Sequence, residues 1–328
     1  MVQAVNTSSI FSIKDTEEFE KLTLQVFLFQ SEKCGVYAKF LKYLKVDPKS
    51  IKKVGDIPYL PVEFFKNHSI TCSNLKPELI FTSSGTSGNV QSKHFVNKKA
   101  IYERSFKTCF EKFYGDIKEY TILALLPSYL ERDGSSLIYM VDDLIRCSEK
   151  AQSGYYLHNH SDLFNTLIKF QKSKSKTLLI GVTYALLDFA ESHTLEFPEL
   201  IVMETGGMKG KRKELIRGEL HEILCCGFGV PTIHSEYGMT ELLSQAYSKG
   251  GGEFHCPPWM QVAIRDTNDP LTLLEIGKVG GINIIDLANI DSCSFIATQD
   301  LGKLTGNNYF EVLGRFDNSD IRGCNLLV

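Results

Sequence analysis

The sequence predicts an α/β protein, in which helices cover both faces of a mainly parallel sheet and a smaller β-rich subdomain follows. Short apolar runs of strand length alternate with helical stretches through the middle of the chain, which is typical of parallel sheets. From about residue 255, short strands separated by turns replace this alternation. The chain has 328 residues, 43% of them hydrophobic, so one large domain or two moderate ones can each bury a core.

Residues 1–75 are predicted to form an N-terminal helical region. Asp15 is a candidate N-cap, and acidic residues fill the first turn after it. Phe19, Leu22 and Val26 then recur at helical spacing, as does Phe29. The sequence therefore predicts that the stretch from Asp15 through "AKFLKYL" is largely helical.

Residues 76–254 are predicted to form the α/β core. Candidate strands are the apolar runs at 78–81, 120–126, 177–182 and 199–204. Two helices show one apolar face each and a glycine after it. Their apolar positions are Tyr102, Phe106, Cys109, Phe110 and Phe113 in the first, and Leu215, Leu220, Ile223 and Leu224 in the second.

Residues 255–328 are predicted to form the β-rich subdomain and a C-terminal hinge segment. The runs "WMQVAIRD", "GGINIIDL", "SFIATQDLG" and "YFEVLGRFD" each have strand length and are separated by turn residues.

Composition excludes several classes of protein. A net charge of -3 argues against a nucleic-acid partner, which calls for a basic excess. No apolar run reaches the roughly 20 residues of a membrane span, and the N-terminus lacks the pattern of a secretory signal. Nine scattered cysteines without a C-x-x-C pair suit a reducing compartment. We expect a cytoplasmic protein.

The stretch "FTSSGTSGNVQSKHF" at 81–95 is the first candidate site. A strand followed by glycines and hydroxyl side chains is a context in which backbone amides surround phosphate oxygens, and Lys93 adds a cation. The stretch fits neither the P-loop nor the dinucleotide-binding pattern. An ordinary turn stays open as the alternative.

The stretch "HSEYGMTELLSQ" at 234–245 is the second. Tyr237 offers a flat face for a base, Thr240 a hydroxyl for a phosphate oxygen, and Glu241 an oxygen ligand for Mg²⁺. The alternative is a strand end followed by a helix that Thr240 caps.

Two further polar positions follow apolar strands. Asp300 in "ATQDLG" would accept hydrogen bonds from two ribose hydroxyls, or would form an Asx turn instead. Arg315 in "LGRFDNSDIRG" would meet phosphate or ribose.

A zinc site is a further alternative, with the candidate ligands Cys225, Cys226, His234, His255 and Cys256. Their spacing lacks the two tight ligand pairs that zinc sites usually show. The pattern therefore favours other roles for these side chains.

Taken together, these stretches resemble the motifs of the adenylate-forming superfamily, in order and in approximate spacing. "TSSGTSG" resembles its phosphate loop, "YGMTE" its most diagnostic motif, "TQDLG" its ribose-binding motif and "GRFDNSDIRG" its hinge, while "METGGMKGK" resembles its adenine loop. The resemblance implies the fold of the large N-terminal domain of these enzymes, with ATP and Mg²⁺ as cofactors. It implies nucleotide-binding roles for Ser83, Ser84, Gly85, Thr86, Ser87, Gly88, Gly206, Gly207, Tyr237, Gly238, Asp300 and Arg315.

Within that superfamily, "LPSYLERDGSSLIYM", "YGMTELLSQAYS" and "GRFDNSDIRGCNLLV" resemble the acyl-protein synthetases of bacterial luminescence, the LuxE type. The resemblance implies activation of a fatty acid as acyl-AMP, with Thr240 and Glu241 at the reaction. It also implies transfer of the acyl group to Cys324 and from there to a reductase partner. A small buried residue is the alternative for Cys324.

The sequence stops at Val328, so we expect no counterpart of the mobile C-terminal domain that carries a catalytic lysine in the wider superfamily. Two alternatives to self-acylation stay open. One is a ligase that passes acyl groups to CoA, a carrier protein or an amine; the other is a non-catalytic nucleotide-binding subunit.

Overall fold

A computed structural model gives the structure of the chain and describes residues 5–83, 90–126, 134–157, 159–206 and 215–316. The α-helices are α1 Thr7–Ile10, α2 Thr16–Lys33, α3 Gly35–Tyr43, α4 Phe64–Asn67, α5 Lys99–Tyr114, α6 Ser136–Ser148, α7 His160–Ser173, α8 Thr183–Ser192 and α9 Arg217–Phe228. The strands are β1 Leu60–Pro61, β2 Leu79–Thr82, β3 Lys93–Val96, β4 Thr121–Leu125, β5 Gly154–Tyr155, β6 Thr177–Val182, β7 Ile201–Thr205, β8 His234–Tyr237, β9 Ala246–Ser248, β10 Glu253–His255, β11 Met260–Arg265, β12 Val279–Asp286, β13 Phe295–Gly306 and β14 Tyr309–Arg315.

The chain forms two compact units. The core unit comprises residues 75–257, and the composite unit combines residues 1–74 with residues 258–328. In the described parts of the chain, no helix is both long enough and apolar enough to cross a membrane.

The core unit is built on a sheet in the strand order β10-β9-β8-β7-β6-β4-β5. Neighbouring strands from β5 to β8 are parallel, and β9 and β10 add antiparallel strands. Every residue of β4 and β6 is buried, as expected for strands covered on both faces. The α/β fold class with parallel sheet and helices is therefore confirmed.

A separate antiparallel hairpin, β2–β3, also lies in the core unit. Its register pairs Phe81 with His94 and Thr82 with Lys93, so the glycine- and serine-rich stretch connects two paired strands.

The composite unit holds the antiparallel strands β11 to β14 in sequence order, with β1 parallel to β13. Gln30 on α2 joins distant parts of this unit, because its amide donates to the carbonyl oxygens of Asn289 and Ile290 and its side-chain oxygen accepts from the backbone of Ser294. The N-terminal helices thus pack on the β-rich segment within one unit.

The predicted N-terminal helix is interrupted. Asp15 caps α2 as expected by accepting from the backbone N–H of Glu18, and Glu18 accepts from the backbone of Lys14. Cys34 then adopts an extended backbone conformation between α2 and α3. The helical stretch is therefore two helices.

The predicted glycine stop of α9 is displaced by two residues. Gly227 is still helical, and Gly229, with φ 62°, ends the helix in the left-handed conformation that glycine favours. A Cβ on Gly227 would lie 2.5 Å from Cβ of Ala190 on α8. Gly227 is therefore a packing residue between two helices.

We predict that Gly227→Ala destabilises the protein by roughly 1–3 kcal/mol because it overpacks the α8–α9 contact. Urea denaturation measures the change in free energy of unfolding. In the matched control Gly218→Ala, on the same helix, the new methyl group meets nothing within 4 Å, so stability should not fall. Adding Ala190→Gly to Gly227→Ala should restore part of the loss; no recovery would contradict the proposed clash.

Candidate active site

The base of the glycine- and serine-rich stretch is closed by hydrogen bonds. The backbone N–H of Ser83 donates to the carbonyl oxygen of Ser92 at 3.1 Å. In return, the backbone N–H of Ser92 donates to the Ser83 hydroxyl at 3.0 Å. These bonds extend the β2–β3 hairpin to the edge of the stretch that follows Ser83. The predicted site residues Ser84, Gly85, Thr86, Ser87 and Gly88 lie outside the described residues.

The hairpin is bonded to the turn that carries Thr240 and Glu241. The Ser92 hydroxyl donates to Oε1 of Glu241, which is buried. His94 Nδ1 lies 2.8 Å from the carbonyl oxygen of Thr240. One contact from the residue before β3 and one from β3 itself therefore fix this turn beside the base of the predicted phosphate loop. The structure thus brings Ser83, Thr240 and Glu241 together.

The conformation after β8 excludes the alternative of a helix capped by Thr240. The strand ends at Tyr237 as expected, but Thr240 and Glu241 form a turn that leads into β9. The Tyr237 ring is 9% exposed and meets the Phe254 ring edge to face, at 5.9 Å between centroids. Gly238 follows directly in the backbone.

The end of β7 lies beside the end of β8. Gly206, with φ 58°, follows β7 directly, and its carbonyl oxygen accepts from the Thr183 hydroxyl at 3.1 Å. Thr183 is the first residue of α8, so this bond ties the exit of β7 to the helix that follows β6. Gly207 lies outside the described residues.

Asp300 and Arg315 face each other on neighbouring strands of the composite unit. They are register partners on β13 and β14, and Arg315 Nε lies 3.2 Å from Asp300 Oδ1. The Asp300 carboxyl is largely buried, whereas the Arg315 side chain is 70% exposed. Because β13 continues to Gly306, Asp300 lies within a strand, and the Asx-turn alternative is wrong.

Arg265 supports the backbone next to Asp300, and no motif predicts it. Its guanidinium is buried and donates to the carbonyl oxygens of Ile282 and Thr298. The Thr298 hydroxyl accepts from the backbone N–H of Asp300. Burial lowers the pKa of Arg265, but an arginine keeps its charge at neutral pH. Arg265 therefore fixes the strand segment that presents Asp300.

The described residues contain no group of three or more His, Cys, Asp or Glu side chains that could share a metal ion. All five candidate zinc ligands lie in described parts of the chain, so the structure does not assemble the zinc alternative. A Mg²⁺ site does not need such a group, because this ion is usually held by one or two carboxylates together with substrate phosphates. Glu241 fits this role as a single carboxylate. Cys324 lies outside the described residues.

Two buried carboxyl groups near the ends of β7 and β8 were not predicted as site residues. Burial opposes the ionisation of Glu204, but His221, 3.7 Å away, and Arg217 outweigh it and lower its pKa. For Glu236, burial raises the pKa to about 7; the Thr205 hydroxyl opposes this rise and the charge of Glu204 adds to it. The sequence signals neither set of partners, because Glu236 meets Thr205 through strand register and Glu204 meets His221 and Arg217 through the packing of α9 on β7.

The fold is that of the adenylate-forming ligases. The chain is similar to 2-hydroxyisobutyryl-CoA ligase, solved in an open conformation with 2-HIB-AMP and CoA, with a TM-score of 0.64 and 12% identity over 93% of this chain and 72% of that chain. It is also similar to ATP-bound MatB from Rhodopseudomonas palustris, with a TM-score of 0.54 and 16% identity over 74% of this chain. The chain spans only 49% of the length of MatB.

Residues 9–120, about a third of the chain, match the family model of the acyl-protein synthetases, LuxE. No curated protein sequence matches significantly. The resemblance that the motifs indicate is confirmed, and the matched span includes the predicted phosphate loop. The motifs around Glu241, Asp300 and Cys324 lie outside that span.

We predict that the folded protein loses stability as pH rises because of Glu236. An unfolded glutamate ionises near pH 4.5, whereas folded Glu236 keeps its proton to about pH 7. The contribution of Glu236 to the free energy of unfolding is therefore fully present below pH 4.5. About 3 kcal/mol of it is lost as the pH rises through about 7. Urea denaturation across this range should show Glu236→Gln gaining stability relative to the wild type as pH rises. If the free energy of unfolding changes with pH equally in both proteins, the raised pKa of Glu236 is contradicted.

Proposed function

We propose that this protein activates a carboxylic acid with ATP, forming an acyl-AMP, and then transfers the acyl group to a thiol. The observation that carries the proposal is the bonding of the Thr240–Glu241 turn to the base of the predicted phosphate loop. This arrangement puts a carboxylate next to a stretch rich in backbone amides and hydroxyl groups. Such a pair suits a metal-bound triphosphate. The fold and the LuxE match support the same conclusion.

The β- and γ-phosphates are assigned to residues 83–88. Backbone N–H groups in a glycine-rich loop can approach phosphate oxygens closely, and the Thr240 hydroxyl would add a further donor. Glu241 would hold Mg²⁺, with Ser92 fixing one carboxylate oxygen. The bound ion would neutralise charge on the phosphate oxygens. These groups stabilise the departing pyrophosphate.

By the motif resemblance, the adenine is assigned to the strand ends of the core unit, and the ribose is assigned to the Asp300–Arg315 pair. The backbone at Gly206, Gly207 and Gly238 would line the adenine, with Tyr237 at its face. Asp300 would accept hydrogen bonds from the ribose hydroxyls, since Arg315 fixes one of its oxygens at 3.2 Å. A carboxylate with a fixed orientation discriminates well between a ribose and a sugar that lacks these hydroxyls.

The proposed chemistry has two steps. The carboxylate oxygen of the acid attacks the α-phosphorus, a P–O bond forms, and the bond to the β-phosphate oxygen breaks to release pyrophosphate. A thiolate then attacks the acyl carbon, a C–S bond forms, and AMP leaves. The first step turns a poor acyl donor into a good one, and most of its catalysis is positioning and charge stabilisation.

The substrate and the acceptor are assigned from the LuxE resemblance. The acid is a fatty acid, the acceptor thiol is Cys324, and the acyl group passes to a reductase in the cytoplasm. A ligase acting on CoA is the second candidate, favoured by the fold shared with a structure solved in complex with CoA.

We predict that Glu241→Gln lowers ATP–pyrophosphate exchange by roughly 100-fold or more because the variant loses a charged ligand for Mg²⁺. Gln can still accept from Ser92, so the turn should keep its conformation. Exchange is measured with straight-chain and aromatic acids before any thiol is added. The control Glu222→Gln removes an exposed charge on α9 and should exchange normally. If none of the acids supports ATP–pyrophosphate exchange by the wild type, adenylation is contradicted.

We predict that Cys324→Ser abolishes labelling of the protein by a radiolabelled fatty acid and ATP, while pyrophosphate exchange continues. A thioester is cleaved by neutral hydroxylamine, so the wild-type label should be lost on this treatment. Labelling that persists in the variant would exclude Cys324 as the acceptor. If the wild type exchanges but is not labelled, and CoA consumes the acyl-AMP, the CoA ligase is the correct assignment.

A further inference from the structure

Glu236 is a buried carboxyl group to which the proposed reaction gives no role. It is 8% exposed and lies one residue before Tyr237 on β8. Its register partners are Thr205 on β7 and Tyr247 on β9, so the three side chains form a row on one face of the sheet. The Thr205 hydroxyl donates to Oε2 of Glu236.

The other carboxyl oxygen lies against the turn that follows β8. A Cβ on Gly238 would stand 2.6 Å from Oε1 of Glu236 and 3.6 Å from Cγ of Gln245. Glu236, Gly238 and Gln245 therefore fill the same small volume, and a Cβ at position 238 would displace the Glu236 carboxyl. Among the described residues, the side-chain oxygen of Gln245 is buried without a hydrogen-bond donor. A protonated carboxyl is a donor of the kind that this oxygen lacks.

The surroundings of Glu236 disfavour a negative charge. Glu204 on β7 is anionic, and burial keeps His234 on β8 neutral by lowering its pKa to about 4. Tyr114 on α5 and Tyr247 have pKa values raised first by burial and then by neighbours that include Glu236. In the described chain no cation contributes to the pKa of Glu236 itself, so the group keeps its proton to about pH 7.

We infer that Glu236 is a positioning residue whose uncharged carboxyl, bonded to Thr205 and packed on Gly238, holds the Thr240–Glu241 turn in its ATP-binding arrangement. The inference rests on the proposed function. The protonated carboxyl links the end of β7, where the predicted adenine loop starts, to the backbone at Gly238, two residues before the Thr240–Glu241 turn. Ionisation places a second buried charge near Glu204 and against the start of the segment that carries this turn. Bound ATP and ionised Glu236 therefore disfavour each other.

The test is the affinity for Mg–ATP, measured by calorimetry from about pH 6 to about pH 9. We expect the wild-type affinity to fall by about tenfold across this range. Glu236→Gln should bind ATP as tightly as the wild type does at low pH and should lose most of the pH dependence. An amide stays neutral, accepts from Thr205 and can donate to Gln245. If the affinity for Mg–ATP falls equally with pH in the wild type and in Glu236→Gln, the inference is overturned.

Two further variants complete the comparison. Glu222→Gln keeps the wild-type profile, because an exposed carboxylate on α9 does not contact the turn. Any pH dependence that comes from the titration of ATP itself also appears in this control and can be subtracted. Glu236→Leu fills the volume without hydrogen bonds and should bind ATP weakly at every pH. Wild-type affinity in this variant would exclude a positioning role.

A spectroscopic measurement separates this inference from the proposed function. The infrared difference between wild type and Glu236→Gln should contain the carbonyl stretch of a protonated carboxylic acid, which disappears on titration through about pH 7. The absence of that band would overturn the inference even if ATP binds. If the band is present but the wild type binds no ATP at any pH, the proposed function fails, and the positioning role for ATP fails with it.

Discussion

The candidate site depends on the parallel register of β6, β7 and β8. Because parallel strands end at the same edge of a sheet, Thr183, Gly206 and Gly238 all follow strand ends at one edge, although more than fifty residues separate the first from the last. Ligands of open parallel sheets usually bind outside these carboxyl ends. A slip of one residue would turn Glu236 away from Thr205 and move the turn that carries Glu241.

Side chains that are not themselves proposed to touch substrate support those that are. Ser92, directly before β3, and His94, on β3, both bond the Thr240–Glu241 turn. In the composite unit, Arg265 and Thr298 play the corresponding part for the backbone at Asp300. Reactive groups held in this way lose little freedom when a substrate binds, which favours stabilisation of a charged transition state.

The two carboxyl groups near the strand ends show how neighbouring positions acquire opposite charge states. Glu204 has His221 and Arg217 beside it and stays ionised, whereas Glu236 has a hydroxyl and an anion as neighbours and keeps its proton. Both side chains are buried, so burial alone does not explain the difference. The partners decide which of the two carries the negative charge beneath a site proposed for an anionic substrate.

The sequence by itself determined the fold class, the strands from β11 to β14 and the motif that carries Glu241, because apolar periodicity and short motifs are local properties. Tertiary structure alone decided that Ser92 meets Glu241 across 149 positions, that Thr205 meets Glu236, and that Arg265 supports the strand of Asp300. It also showed a turn after Tyr237, where a helix capped by Thr240 had been the alternative. These contacts depend on strand order and register, which are set by long-range burial that no local pattern records.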